Sequence, residues 1–205
     1  MIYQLSHDFE PFWMMDKTKF KNSSNFEKTL KKIQEEIKRS DEDFMKEFAK
    51  NYSDEMPPCW MTMEIVSFGT LSMLYKNLNS GSTKRKIANH FGLNDRVFES
   101  WIHTLVYLRN VCAHHSRLWN KDLRIQPILP KSNAEIWLSN ASIRNDKVYF
   151  MLSMLLFLLK KVNPKTTFQA RILLLLAKYP NCDKKAMGFP KNWFDEPLWI
   201  DLLEE

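Results

Sequence analysis

Residues Asp95–His115, DRVFESWIHTLVYLRNVCAHH, decide the fold class. Phe98, Trp101, Ile102, Leu105 and Leu108 recur at intervals that fall on one side of a 3.6-residue helix. The stretch is predicted to be a long helix with those side chains on its buried side. Apolar repeats of the same kind flank it. Phe26, Leu30, Ile33 and Ile37 are spaced by four, three and four, with lysines and glutamates filling the other faces. Ser23, Ser24 and Asn25 precede this repeat as N-cap candidates. Asp41–Tyr52 reads as a second, short helix with Phe44, Phe48 and Tyr52 turned inward.

Pro57 and Pro58 open a further helix, Trp60–Leu78, apolar on most sides, with Glu64 as its acidic residue. Small residues Ser67, Gly69, Thr70 and Ser72 in its middle point to close approach of another helix, because an exposed mid-helix glycine costs about 1 kcal/mol against alanine. Thr83–His90 is predicted to be a short basic helix stopped by Gly92. Leu118–Lys131, with two prolines, is a connector. Val148–Val162 and Thr167–Tyr179 are strongly apolar helices separated by Asn163 and Pro164. The tail holds Trp193, Phe194 and Trp199 and is expected to pack as an extension.

Glycine is scarce, and the Asn-Gly and Asp-Gly pairs that hairpins favour are absent. The class is therefore all-α, a helical bundle. The expected organisation is an N-terminal helical arm over 1–56, the bundle over 57–180 and a C-terminal extension over 181–205.

The net charge of +6 and pI near 9.1 favour a polyanionic partner, nucleic acid or an acidic membrane surface, although solubility alone also accounts for an excess of this size. Cys59, Cys112 and Cys182 form no CxxC pair and no disulfide framework, a usage that fits a reducing cytoplasm. The greasiest run, Val148–Leu159, falls short of the roughly 20 residues a bilayer requires, and the N-terminus does not read as a signal peptide. No membrane association is expected.

Chemistry concentrates in Arg109–Asn120, RNVCAHHSRLWN. Asn110 and His114 are four apart and share a helix face. Arg109 lies roughly 140° around the helix from His114, yet its long side chain has reach toward the same groove. An imidazole that moves protons near neutral pH, beside a guanidinium that holds phosphate, suits cleavage of RNA. RNA brings its own nucleophile in the 2′-hydroxyl, so neither a metal nor a cofactor is demanded. An arginine and a histidine five apart also occur by chance as surface decoration. Cys112 and His115 have no further ligand pair for a metal site. Leu118 and Trp119 read as packing rather than as a base-stacking platform. Arg117 stays open between a phosphate contact and a charge at the helix C-terminus.

RNVCAHHSRLWN resembles the signature of the Abi-like abortive-infection proteins, grouped within the HEPN superfamily. PPCWMTMEIVSFGTLSMLYKNL (Pro57–Leu78) and KRKIANHFGLNDRVFESWIHTLVYLRNVCAHH (Lys84–His115) look like the segments that precede it, so the resemblance covers Pro57–Asn120 closely. It implies a helical bundle that dimerises and, in active members, a metal-independent ribonuclease. By this resemblance His114 is the general acid/base, Arg109 stabilises the phosphate and Asn110 orients them. Two copies of the motif would face one another across a homodimer. Glu64 falls where the superfamily often carries a polar residue that contacts the motif. His115 and Arg117 are typical of the Abi-like motif, without roles set by the superfamily pattern. Abi-like proteins are usually longer ahead of the matched part, so the chain is expected to begin inside the family pattern, at MIYQLSHDFEPFW.

The function these observations imply is an RNA-cleaving, toxin-like effector of phage defence in the cytoplasm, restrained by an RNA or protein antitoxin and leaving 2′,3′-cyclic phosphate ends. The alternative is a non-catalytic HEPN-type module that binds RNA or a partner protein. A DNA-binding repressor finds only the short helix Thr83–Gly92 and no recognition helix after it.

Overall fold

A computed structural model describes residues 6, 8–130, 137–139 and 142–200. The first residues of the expected N-terminal arm and the last of the expected extension, 1–5 and 201–205, lie outside them. The regular elements among the described residues are helices, and the fold is all-α. The chain divides into two compact units, Met1–Asn89 and His90–Glu205. The division falls at Asn89 rather than at Pro57, and residues before Pro57 share a core with residues after it.

In the first unit, α1 (Ser23–Lys38) begins where the Asn22 side chain accepts the Asn25 N–H at 2.8 Å, and it buries Phe26, Thr29 and Ile33. α2 (Asp43–Asn51) buries Met45 and Phe48. Phe44 and Tyr52, expected inward, are exposed. Phe44 and Met45 both lie one turn before Phe48, and the packing surface takes Met45, leaving Phe44 toward solvent. Tyr52 lies past the helix end, stacked on Phe48 at 5.1 Å.

The single helix expected over Trp60–Leu78 is two helices, α3 (Cys59–Ile65) and α4 (Phe68–Asn77). The break has a local and a distant cause. Ser67 caps α4, its hydroxyl accepting the Thr70 N–H at 3.2 Å. Glu36 of α1 accepts the Ser67 N–H at 2.8 Å and the Thr70 hydroxyl at 2.9 Å. A carboxylate thus satisfies donors at the start of α4, where the helix dipole favours negative charge. Gly69 therefore sits in a first turn and not mid-helix. α1 packs against both α3 and α4. Burial pushes the Cys59 thiol above its ordinary range, which leaves it an inert core group. The unit closes with α5 (Ser82–His90), after which Gly92 takes a φ of 69°, a left-handed backbone that favours glycine.

In the second unit, α6 (Asp95–Ala113) starts at Asn94, whose side chain accepts the Val97 N–H at 2.9 Å. It buries Val97, Phe98, Trp101, Ile102, Thr104 and Val111, while Leu105 and Leu108 are half-buried. Trp101 is fully buried against Trp137 and Phe157, which also touch each other, and its indole N–H donates to the Ile128 carbonyl at 2.9 Å. Ile128 in turn donates its N–H to the Ser100 hydroxyl at 2.9 Å. These bonds bring the connector after α6 back onto the helix that precedes it.

α7 (Val148–Val162) is buried along most of its length, and α8 (Phe168–Lys178) packs against it. The tail is fastened to both. The Trp199 indole N–H donates to the Ser153 hydroxyl at 2.8 Å, and the Gln169 amide donates to the Trp199 carbonyl at 2.7 Å. Tyr149 packs between Phe189 and Trp199; burial, with the Glu196 carboxylate adding to it, pushes its phenol well above the ordinary range. Trp193 is buried with them, whereas Phe194 is exposed.

Candidate functional site

α6 changes character at its C-terminal end. From Arg109 to Arg117 Val111 alone is buried, and the other eight residues are exposed. Asn110 and His114 lie one above the other, with the His114 N–H donating to the Asn110 carbonyl at 3.0 Å. The Arg109 guanidinium donates to the Asn110 carboxamide oxygen at 3.3 Å. That bond draws the arginine toward the neighbour that shares a face with His114. Among the described residues Arg109 makes no ion pair, and the side chains of His114, His115 and Arg117 make no hydrogen bond. Their donors are therefore open to a ligand from outside.

The helix stops in a particular way. The His115 N–H donates to the Cys112 carbonyl and the Ser116 N–H to the Val111 carbonyl, each at 3.0 Å, with His115 at a φ of 52°. This is the Schellman arrangement, in which the left-handed residue is usually glycine. A side chain there costs about 1 kcal/mol or more. The molecule carries this strain within the exposed stretch Arg109–Arg117, and strain of this kind clusters at functional sites. The sequence shows His115 in the motif but gives no sign of this backbone, because a histidine carries no turn signal as glycine does.

The charge around the helix end is positive. Arg109–Arg124 contains Arg109, Arg117, Lys121 and Arg124 against a single acid, Asp122. Asp122 is itself engaged by Arg144 at 3.3 Å and by Lys147 at 2.5 Å. Positive charge also complements the negative end of the helix dipole, which accounts for Arg117 in part. Glu64 belongs to the first unit, exposed on α3, where it lines an open polar groove with Arg39 and Glu42. Among the described residues no three His, Cys, Asp or Glu side chains gather as metal ligands.

Two residues expected in the core are not there. Trp119 is 43 % exposed and Leu118 is half-buried. Both lie in a turn past the helix end, closed by the Lys121 N–H on the Leu118 carbonyl at 3.1 Å. Trp119 instead lines an open groove with Lys178, Tyr179, Pro180, Asn181 and Cys182.

An all-α chain with an exposed, cationic Arg-Asn-x3-His helix end is the class of protein that the fold and this surface define. A family model described as Abi-like protein matches residues 1–120, and the chain belongs to that family. The match takes in the whole motif through Asn120, as well as the residues before Pro57. No curated protein and no solved structure matches the chain. The family's name points to abortive infection, a form of phage defence. No helix among the described residues is long and apolar enough to cross a membrane.

Proposed function

We propose that this protein is a HEPN-type endoribonuclease of phage defence, toxin-like and acting in the cytoplasm without a metal. The observation that supports the reading is the exposed set at the end of α6, where Arg109 is hydrogen-bonded to Asn110 and His114 follows Asn110 by one turn on a cationic surface. In the proposed reaction the 2′-oxygen of one nucleotide attacks the adjacent phosphorus. The P–O2′ bond forms and the P–O5′ bond breaks, leaving a 2′,3′-cyclic phosphate and a free 5′-hydroxyl. One proton leaves the 2′-hydroxyl and one reaches the departing 5′-oxygen.

His114 is the group suited to move these protons, since an imidazole changes charge near neutral pH. Arg109 stabilises the charge that builds on the phosphoryl oxygens. Asn110 holds Arg109 by its carboxamide and so orients it. With two copies of the motif facing one another in a homodimer, one imidazole takes the proton while the other gives one. His115 and Arg117 are supporting residues in this reading, and an RNA or protein antitoxin would restrain the enzyme.

Product chemistry tests the mechanism. Structured RNA incubated with the protein in EDTA should be cut to fragments ending in 2′,3′-cyclic phosphate. The same RNA with a 2′-deoxy nucleotide at the cut position should stay intact there. Cutting that survives the deoxy substitution would exclude attack by the 2′-oxygen. RNA that is bound and never cut would make the protein a non-catalytic binding module.

A further inference from the structure

We propose that the groove containing Trp119 and Tyr179 is a subsite for one unpaired nucleobase of the RNA, an inference that rests on the ribonuclease reading. The groove encloses about 430 Å³, within the size range of small-ligand sites. Trp119 is 43 % and Tyr179 55 % exposed, a costly placement for two large aromatic side chains unless something covers them. Among the described residues neither ring stacks on another ring, and the Trp119 indole N–H has no acceptor. Both rings are available to a third.

The polar groups at the groove match the rest of a nucleotide. The Lys178 ammonium lies 5.5 Å from the centroid of the Tyr179 ring, where it suits a phosphate next to a base stacked on that ring. Asn181 offers a carboxamide, donor and acceptor together, of the kind that reads the edge of a base. The wall is held in place. The Cys182 N–H donates to the Tyr179 carbonyl at 3.0 Å across a turn through Pro180, and the Cys182 thiol lies 3.5 Å from the Met187 sulfur.

Distance along the chain ties the groove to the cleavage set. Trp119 follows His114 by five residues, so their Cα atoms are at most about 18 Å apart. A base in the groove therefore belongs to a nucleotide within a few positions of the scissile phosphate. Single-stranded RNA is the occupant that uses all four features: two exposed aromatic rings, an amide and a cation.

The test is made in a His114→Ala background, so that binding is read without cleavage, with a fluorescein-labelled single-stranded RNA decamer. Adding Trp119→Ala should weaken binding on the order of tenfold, the size expected for one lost base stack. Trp119→Phe should recover most of the affinity, and Tyr179→Ala should weaken it similarly. Circular dichroism and Tm should be unchanged for the exposed Trp119. Equal affinity with and without Trp119 would overturn the subsite, as would an effect of Trp119→Ala on self-association alone. The two readings fail separately. A wild-type enzyme that cuts RNA with a KM indifferent to Trp119 leaves the nuclease and removes the subsite. Trp119-dependent binding by a wild type that never cuts leaves the subsite and removes the nuclease.

Discussion

From Val97 to Thr104, α6 turns Val97, Phe98, Trp101, Ile102 and Thr104 to the interior; from Arg109 through the helix end to Arg117, only Val111 is buried. The first half is specified by packing. Trp101 completes a cluster with Trp137 and Phe157, each ring against the other two, and donates a hydrogen bond to the returning connector. The second half contributes little to that core, and its polar side chains reach solvent with their donors open. Packing explains why the helix exists and where it lies. It leaves the arginine, carboxamide and imidazole at the end without a structural task, and the proposed ribonuclease reaction would give them one.

The comparison breaks if the two halves respond alike to substitution. Trp101→Ala should cost about 3–5 kcal/mol of stability, read by chemical denaturation, with activity lost only as the fold is lost. A small effect there would mean that the interior half is not the anchor it is taken to be. His115→Gly probes the other half with the opposite sign. Glycine accepts the φ of 52° without strain, so stability should rise by about 1 kcal/mol, while RNA cleavage should fall as the supporting imidazole is removed. A variant both more stable and less active would separate the site from the scaffold. A lower Tm for His115→Gly would contradict the account of the helix end.

The parts of the fold legible in the sequence were those where one apolar stripe determines one helix. The expected bounds of α1, α6, α7 and α8 agree with the observed ones within a few residues. The apolar run Trp60–Leu78 reads as one helix because hydrophobicity continues across the break at Ser67, and half of the cause of the break, Glu36, is 31 residues earlier. In α2 Phe48 is inward as expected, but Met45 takes the place expected for Phe44, since both are apolar and only the packing surface chooses between them. At the candidate site, the spacing of Asn110 and His114 on one face was legible, as was the basic surroundings. Exposure was not. Trp119 is apolar wherever it stands, and nothing local distinguishes a tryptophan in a core from one on the wall of an open groove. The left-handed His115 was equally hidden, because its conformation is imposed by the two hydrogen bonds that close the helix.

The central claim is that the end of α6 is a cleavage site and not merely a charged surface. The most direct measurement compares wild type with His114→Ala for cleavage of structured RNA in EDTA, with Tm and RNA affinity recorded for both. His114 is exposed, so its loss should move stability by no more than about 0.5 kcal/mol. Cleavage should fall by about 10²–10⁴-fold, the contribution of one general acid/base, with RNA affinity nearly unchanged. Equal cleavage by the two proteins would contradict the account.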